Sequence, residues 1–135
     1  MKTLHTVTAL IEVGAGLALL GFPSATVMLL VSAPLEGPAA LSVARVGGAG
    51  LLALGVACWL ARGDTQSRAA RGLVAAMLLY NGVAVAVLAF AGLGYGLHGV
   101  ALWPAVVLHA VMVVWCVACL RRSLLNVTLD SNLRK

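Results

Sequence analysis

Four polar residues that could take part in chemistry lie inside long apolar runs of this sequence. Glu12, Arg45, Asn81 and His109 each fall in a different run. An ionisable side chain in hydrocarbon costs several kcal/mol unless it is paired or hydrated, so such residues indicate either an internal partner or a function. A carboxyl and an imidazole placed together could exchange a proton as general acid and base, which makes Glu12 and His109 the candidate catalytic residues if the protein is an enzyme.

A structural interpretation uses the same four residues without any chemistry. Glu12 and Arg45 would form an ion pair inside a helix bundle, and Asn81 and His109 would complete its hydrogen bonds. The helical rise separates Glu12 from Arg45 by roughly 13 Å along the bundle, so a bridging side chain or water would be needed. Such a buried pair stabilises little in net terms, because desolvation offsets the attraction.

A functional interpretation begins with the first run, where His5, Thr8 and Glu12 are spaced by three and four residues. This spacing places them on one face of a helix. This face forms a polar stripe of His5, Thr8 and Glu12. The stripe would lead to a polar cavity that could bind a small amphipathic molecule. The residues expected to line this cavity are Glu12, Tyr80, Asn81 and His109, with Arg45 as a further binding residue. The sequence leaves the structural and functional interpretations open.

The elements that must position these residues are predicted from composition. Hydrophobic residues make up 62% of the 135 residues and charged residues 10%, whereas a soluble domain carries roughly 25% charged residues. A membrane-spanning helix needs about 20 mostly apolar residues. Four segments meet that length, 4–22, 38–61, 69–93 and 102–120, which predicts one all-α, four-span domain over residues 1–135. The short apolar segment 24–34 is expected to be interfacial or re-entrant.

The distribution of basic residues predicts the orientation of these spans. With four spans, all Lys and Arg residues except Arg45 fall on one side, which the positive-inside rule assigns to the cytoplasm together with both termini. The residues on that side are Lys2, Arg62, Arg68, Arg71, Arg121, Arg122, Arg134 and Lys135. This asymmetry accounts for the formal net charge of +5. The basic residues also lack the interleaved aromatics of a nucleic-acid surface, so no nucleic-acid partner is predicted.

Metal and cofactor chemistry finds little support in the sequence. His109, Met112, Cys116 and Cys119 share one helical face, but the helical rise spreads them over roughly 15 Å, too far for one ion. No metal site and no cofactor are predicted. The stretch GLGYG, residues 92–96, is expected to end the third span rather than to form an ion filter. No G-x-S-x-G, P-loop or H-E-x-x-H motif occurs.

The second span carries a repeat of small residues that could contact another helix. Ala49, Ala53, Ala57 and Ala61 recur every four residues, and small residues at this spacing let helix backbones approach closely. A helix of the same chain, a second copy of the chain or another membrane subunit could use this face.

The run RVGGAGLLALGVACWLA, Arg45 to Ala61, suggests a family. It follows a helix with an acidic residue and a turn of the form P-S-x-x-x-x-L-L, which begins at Pro23. This combination resembles the DoxX-like group of small four-helix bacterial membrane proteins. The resemblance implies a multi-pass bundle in the inner membrane and a link to membrane redox systems. It assigns no catalytic role to Glu12, Arg45 or His109.

The sequence therefore predicts a small integral membrane protein that binds a ligand or partner within its bundle and has no chemistry of its own. Its expected partners are the lipid bilayer and a small lipophilic ligand, with a homo-oligomer or membrane complex also open. One alternative is a membrane enzyme that acts on a lipophilic substrate through Glu12 and His109. Another is an accessory subunit of a membrane redox complex that docks through the second span.

Overall fold

The protein is all-helical throughout the part of the chain that the computed structural model describes, residues 1–64 and 67–133. The five helices are α1 (Lys2–Gly21), α2 (Pro23–Val31), α3 (Gly37–Ala61), α4 (Arg68–Leu93) and α5 (Leu102–Leu133). The basic residues Arg134 and Lys135, which entered the orientation prediction, lie outside the described residues.

Four of these helices are long and apolar enough to cross a membrane. They are α1, α3, α4 and the part of α5 from Leu102 to Ser123. The predicted all-α, four-span fold class is confirmed, and the protein is a multi-pass membrane protein. The short segment between the first two spans forms α2, a helix of nine residues that is too short to span.

Local sequence explains where these helices begin and end. Proline occupies the first turn of α2 and of α3, where its missing N–H costs no helical hydrogen bond. The Ser67 side chain caps α4 by accepting a hydrogen bond from the backbone N–H of Ala70 at 3.0 Å. At the other end of α4, the GLGYG stretch ends the helix and continues into a turn with Gly96 at a φ of 67°.

The closest helix contact in the described chain joins α1 to α3, and glycine makes it possible. A Cβ added to Gly16 would lie 2.7 Å from the backbone nitrogen of Leu52 and 2.8 Å from the carbonyl oxygen of Gly48. A Cβ on Gly55 would lie 2.9 Å from the backbone nitrogen of Val13. These approaches are backbone to backbone, so glycine is required at these positions for the two helices to pack as they do.

The molecule consists of two antiparallel helix pairs, α1 with α3 and α4 with α5. Between the pairs, side chains rather than backbones meet and form the core. This core contains residues from all four spanning helices: Leu4, Ala9, Cys58, Val74, Met77, Met112 and Cys116. The seam between the two helix pairs is therefore the interior of the bundle.

The two ends of the bundle differ. One end, called the basic end, carries the basic residues described by the structure apart from Arg45, namely Lys2, Arg62, Arg68, Arg71, Arg121 and Arg122. At the opposite end α2 packs against the loop between α4 and α5. The backbone N–H of Ala101 donates to the Leu29 carbonyl at 2.9 Å, and the Ser32 hydroxyl donates to the His98 carbonyl at 3.2 Å.

The small-residue repeat of the second span divides between two faces of α3. Gly48 and Gly55 face α1, as described above, whereas Ala49, Ala53 and Ala57 are exposed on the outside of the bundle. The alanine repeat is therefore not the surface that holds the two helices together.

Candidate functional site

The buried polar residues of the described chain lie in the seam between the helix pairs. They are His5, Thr8, Glu12 and Asn81, each at most 3% exposed. Three of them come from α1, at the spacing of three and four residues that predicts a single polar face. The structure places this face towards the core, opposite the exposed Leu10 and Leu17.

The helix register brings residues of different helices to common levels. The contact of Gly55 with Ala9 and Val13 places Thr8 at about the level of Cys58, three residues further towards the basic end. The Cys58 Sγ lies 3.5 Å from the Met77 Sδ, so Met77 shares this level. One helical turn further from the basic end, Glu12 and Asn81 share a second level.

His109 is held at the second level by a short chain of hydrogen bonds. The Asn81 side-chain amide donates to the Met77 carbonyl at 2.7 Å, which leaves the Asn81 Oδ1 as the acceptor towards the imidazole. The His109 Nδ1 lies 2.8 Å from this oxygen, so Nδ1 carries the proton and donates. The tautomer follows from the network, and it leaves Nε2 as the nitrogen with a free lone pair.

Tyr80 connects Glu12 with His109. Its hydroxyl lies near the Glu12 carboxyl. Its ring meets the His109 ring edge to face, with centroids 5.7 Å apart and an interplanar angle of 82°. Glu12, Tyr80, Asn81 and His109 thus form one continuous group drawn from α1, α4 and α5, which we call the polar group.

Arg45 lies outside the polar group. It is exposed on α3, about 13 Å from Glu12 along the bundle when the helical rise is counted through the Gly16–Gly48 contact. No ion pair joins Glu12 to a Lys or Arg among residues 1–64 and 67–123. The Glu12–Arg45 pair of the structural interpretation is therefore not formed. An outward-facing arginine can extend its guanidinium towards the membrane surface, which removes the need for an internal partner.

Two members of the α1 stripe have buried polar atoms without a hydrogen-bond partner among the described residues. These atoms are the Thr8 Oγ1 and both ring nitrogens of His5. The His5 ring lies near the Ala61 carbonyl, but neither nitrogen reaches good hydrogen-bond geometry. Buried polar groups in proteins are almost always hydrogen-bonded, so unpartnered ones mark places where water or a ligand binds.

Sequence reasoning missed the sulfur pair beside the polar group. Cys58 and Met77 are 19 residues apart in sequence and lie on different helices, so no spacing rule connects them. Their only signal in the sequence was their residue type, and both are common packing residues. Among the described residues, no three His, Cys, Asp or Glu side chains come together to hold a metal ion.

A separate apolar groove opens on the outside of the α1–α3 pair. It has a volume of about 330 Å³ and is lined by Ala9, Leu10, Val13, Val56 and Trp59. None of these residues belongs to the polar group. The groove faces the surroundings of the bundle, where lipid chains can cover it, and it does not provide access to Glu12 or His109.

No protein-family model, curated protein or solved structure matches the chain. The resemblance to DoxX-like proteins therefore stays a prediction, and function must be argued from the polar group itself. Chemically, that group offers a carboxyl, a phenol and an imidazole lone pair within the apolar interior. This combination can bind a ligand through hydrogen bonds or exchange a proton with it.

Proposed function

We propose that this protein binds a small lipophilic ligand in the seam between its two helix pairs and carries out no chemistry of its own. The observation that carries the proposal is the burial of Glu12, which is 3% exposed and has no Lys or Arg partner among the described side chains. A carboxyl placed in the membrane interior for structural reasons alone would be expected to have such a partner. The carboxyl instead faces Tyr80, and through it His109.

The architecture of the core supports this location. Within each pair the helices are in close contact, whereas the two pairs meet through side chains such as Met77 and Met112. Methionine is flexible and polarizable, so a methionine-containing seam can repack around a guest. Ligand sites in helical bundles commonly lie between helices, with a few polar groups in an apolar lining.

The protein is proposed to reside in the bacterial inner membrane with both termini in the cytoplasm. The basic end supports this orientation through the positive-inside rule. A reporter that is active only outside the cytoplasm, inserted in the loop after Gly94, is expected to be active, while the same reporter after Ser123 is expected to be silent. The reverse pattern would contradict the orientation.

Native mass spectrometry of the protein extracted in mild detergent tests ligand binding. We expect a small-molecule adduct on the wild type and on Arg45→Gln, and its loss from Glu12→Gln and His109→Leu. Arg45→Gln is the matched control because it also replaces a charged side chain within a span. A wild-type protein without an adduct, or variants that retain it, would show that the polar group serves packing alone.

The same experiment separates binding from catalysis. In the enzyme alternative, Glu12 acts as general acid or base and His109 assists, because both face Tyr80 within one group. The adduct molecule, released and returned to the wild-type protein, should keep its mass if the protein only binds it. Conversion that disappears in Glu12→Gln would establish an enzyme instead.

One observation favours a second candidate function, that of an accessory subunit in a membrane complex, the redox complex of the DoxX-like resemblance being the proposed case. The alanine face of α3, formed by Ala49, Ala53 and Ala57, is exposed. Replacing Ala53 with Phe should release a partner in mild detergent while the monomer stays folded. If Ala53→Phe leaves every complex intact, this face is covered only by lipid.

A further inference from the structure

Building on the proposed function, we propose that the ligand of the polar group is a small amphipathic organic cation, such as an aryl- or alkylammonium ion. This proposal names the chemical class of the ligand, which the existence of a binding site does not determine. Its basis is the charge and the unmatched hydrogen-bonding capacity of the seam.

The only buried formal charge that the described residues can supply to the seam is negative. Glu12 is the single Asp, Glu, Lys or Arg among their buried side chains. Arg45 is exposed, and the other described basic residues lie at the basic end. In a medium of low dielectric constant, an ion of opposite charge gains far more from a carboxylate than it would in water. An anion would be repelled by the same group.

The hydrogen-bonding atoms around Glu12 also leave acceptor capacity unused. A carboxylate has about four acceptor positions, and among the described residues only the Tyr80 hydroxyl is indicated near the Glu12 carboxyl. One turn away on the same face, the Thr8 Oγ1 is buried and has no partner in the part of the chain that the structure describes. Two turns away, the His5 nitrogens are unpartnered as well. These unpartnered atoms are an observation separate from the charge of Glu12, and they lie on the same interior face of α1.

The lining favours an organic cation over a metal ion. No three His, Cys, Asp or Glu side chains converge among the described residues, so a divalent metal has no complete set of ligands there. Near the Glu12 carboxyl lies Tyr80 instead, and the polarizable sulfur atoms of Cys58 and Met77 lie about one helical turn further towards the basic end. An aromatic face attracts an alkylammonium group through its quadrupole, and sulfur atoms tolerate its apolar substituents.

A pair of isosteric probes tests the proposal on the wild-type protein. Phenyltrimethylammonium and tert-butylbenzene differ in one atom, nitrogen or carbon, and in one positive charge. Binding is measured by equilibrium dialysis against protein in phosphatidylcholine nanodiscs, with empty nanodiscs as the blank. Phenyltrimethylammonium has no N–H to donate, so the pair tests the charge and not the hydrogen bonds. We expect it to bind on the order of tenfold or more tightly than tert-butylbenzene, the factor for one desolvated cation–π contact.

Matched variants locate the charge that is responsible. Glu12→Gln removes the opposite charge and should lower the affinity for phenyltrimethylammonium by on the order of tenfold. Glu36→Gln, the same chemical change at an exposed position, should leave it unchanged. Tyr80→Phe keeps the ring and removes the hydroxyl that competes for the carboxylate, so it should bind the cation at least as tightly. If Glu12→Gln fails to fold, Tyr80→Phe provides the second test of the carboxylate, and weaker cation binding by Tyr80→Phe would contradict the proposal.

Three results would overturn the proposal: equal binding of the two probes, unchanged cation binding by Glu12→Gln, or no binding of phenyltrimethylammonium by the wild type. None of them would by itself remove the proposed function. A native adduct that is neutral and depends on His109 would keep the binding site and reject only the cation. Loss of both the adduct and the probe binding would reject the two together.

Discussion

Replacing Gly16 with alanine should separate α1 from α3, because the added methyl group has no room. It would lie 2.7 Å from the Leu52 nitrogen and 2.8 Å from the Gly48 oxygen, where ordinary contacts are 3.4–4 Å. Both atoms belong to the backbone of a helix, so neither can rotate away as a side chain would. The helices must move apart by several tenths of an ångström.

The size of the effect follows from two opposing contributions. Overpacking of this kind destabilises proteins by about 1–3 kcal/mol, and a radial gap of about 0.5–1 Å forfeits a quarter to a half of each dispersion contact along the helix pair. Alanine is also the better helix former by about 1 kcal/mol. Gly16→Ala is therefore expected to be destabilising, but by less than the steric contribution alone.

Gly14→Ala isolates the steric contribution. Gly14 lies on the same helix two residues away, is exposed, and its added Cβ meets nothing within 4 Å. It gains the same helix propensity without the clash. Unfolding in mixed micelles, followed by tryptophan fluorescence during titration with sodium dodecyl sulfate, should show Gly16→Ala less stable than Gly14→Ala by about 1–3 kcal/mol.

Equal stability of the two variants would refute the close α1–α3 packing. A second test uses Gly48, whose added Cβ would lie 2.9 Å from the Gly16 oxygen. Gly16→Ala and Gly48→Ala open the same gap. The double variant should therefore lose less stability than the sum of the losses in the two single variants. Full additivity would mean that the two glycines do not face each other.

Three further substitutions test separate parts of the fold by the same unfolding titration. Arg45→Gln should change stability by less than about 0.5 kcal/mol, because the side chain is exposed. Asn81→Leu should destabilise by about 1–3 kcal/mol, since it leaves the N–H of the His109 Nδ1 without its acceptor, while the Met77 carbonyl keeps its helical backbone bond. Gly99→Ala should destabilise the packing of α2 against the loop between α4 and α5, because the added Cβ would overlap the Leu30 backbone.

Each of these predictions has a contrary result. A large loss of stability in Arg45→Gln would indicate that Arg45 does form an ion pair with Glu12. Asn81→Leu as stable as Val83→Ala, a change at an exposed position of the same helix, would mean that the His109 hydrogen bond contributes nothing. Gly99→Ala should be compared with Gly72→Ala, whose added Cβ meets nothing within 4 Å. Equal stability of the two variants would contradict the packing of α2 against the loop between α4 and α5.

The sequence alone determined the four-span, all-helical architecture, because hydrophobic length and composition are local properties of a chain. It also determined that His5, Thr8 and Glu12 share a face, since the helical period depends only on spacing. The ends of α3 and α4 lie within one residue of the predicted limits because proline, serine and glycine act on the backbone locally.

Tertiary structure decided which of these faces meet. The direction of Arg45, the contact between Cys58 and Met77, and the hydrogen bond from His109 to Asn81 depend on how each helix is rotated and shifted against its neighbours. Between α1 and α3, the rotation is fixed by the backbone contact of Gly16 with Gly48 and Leu52. Composition showed that α3 could pack closely, but glycines and alanines offered two such faces. Only the assembled bundle turned the glycines inward, and that choice placed Arg45 outside and left Glu12 facing Tyr80.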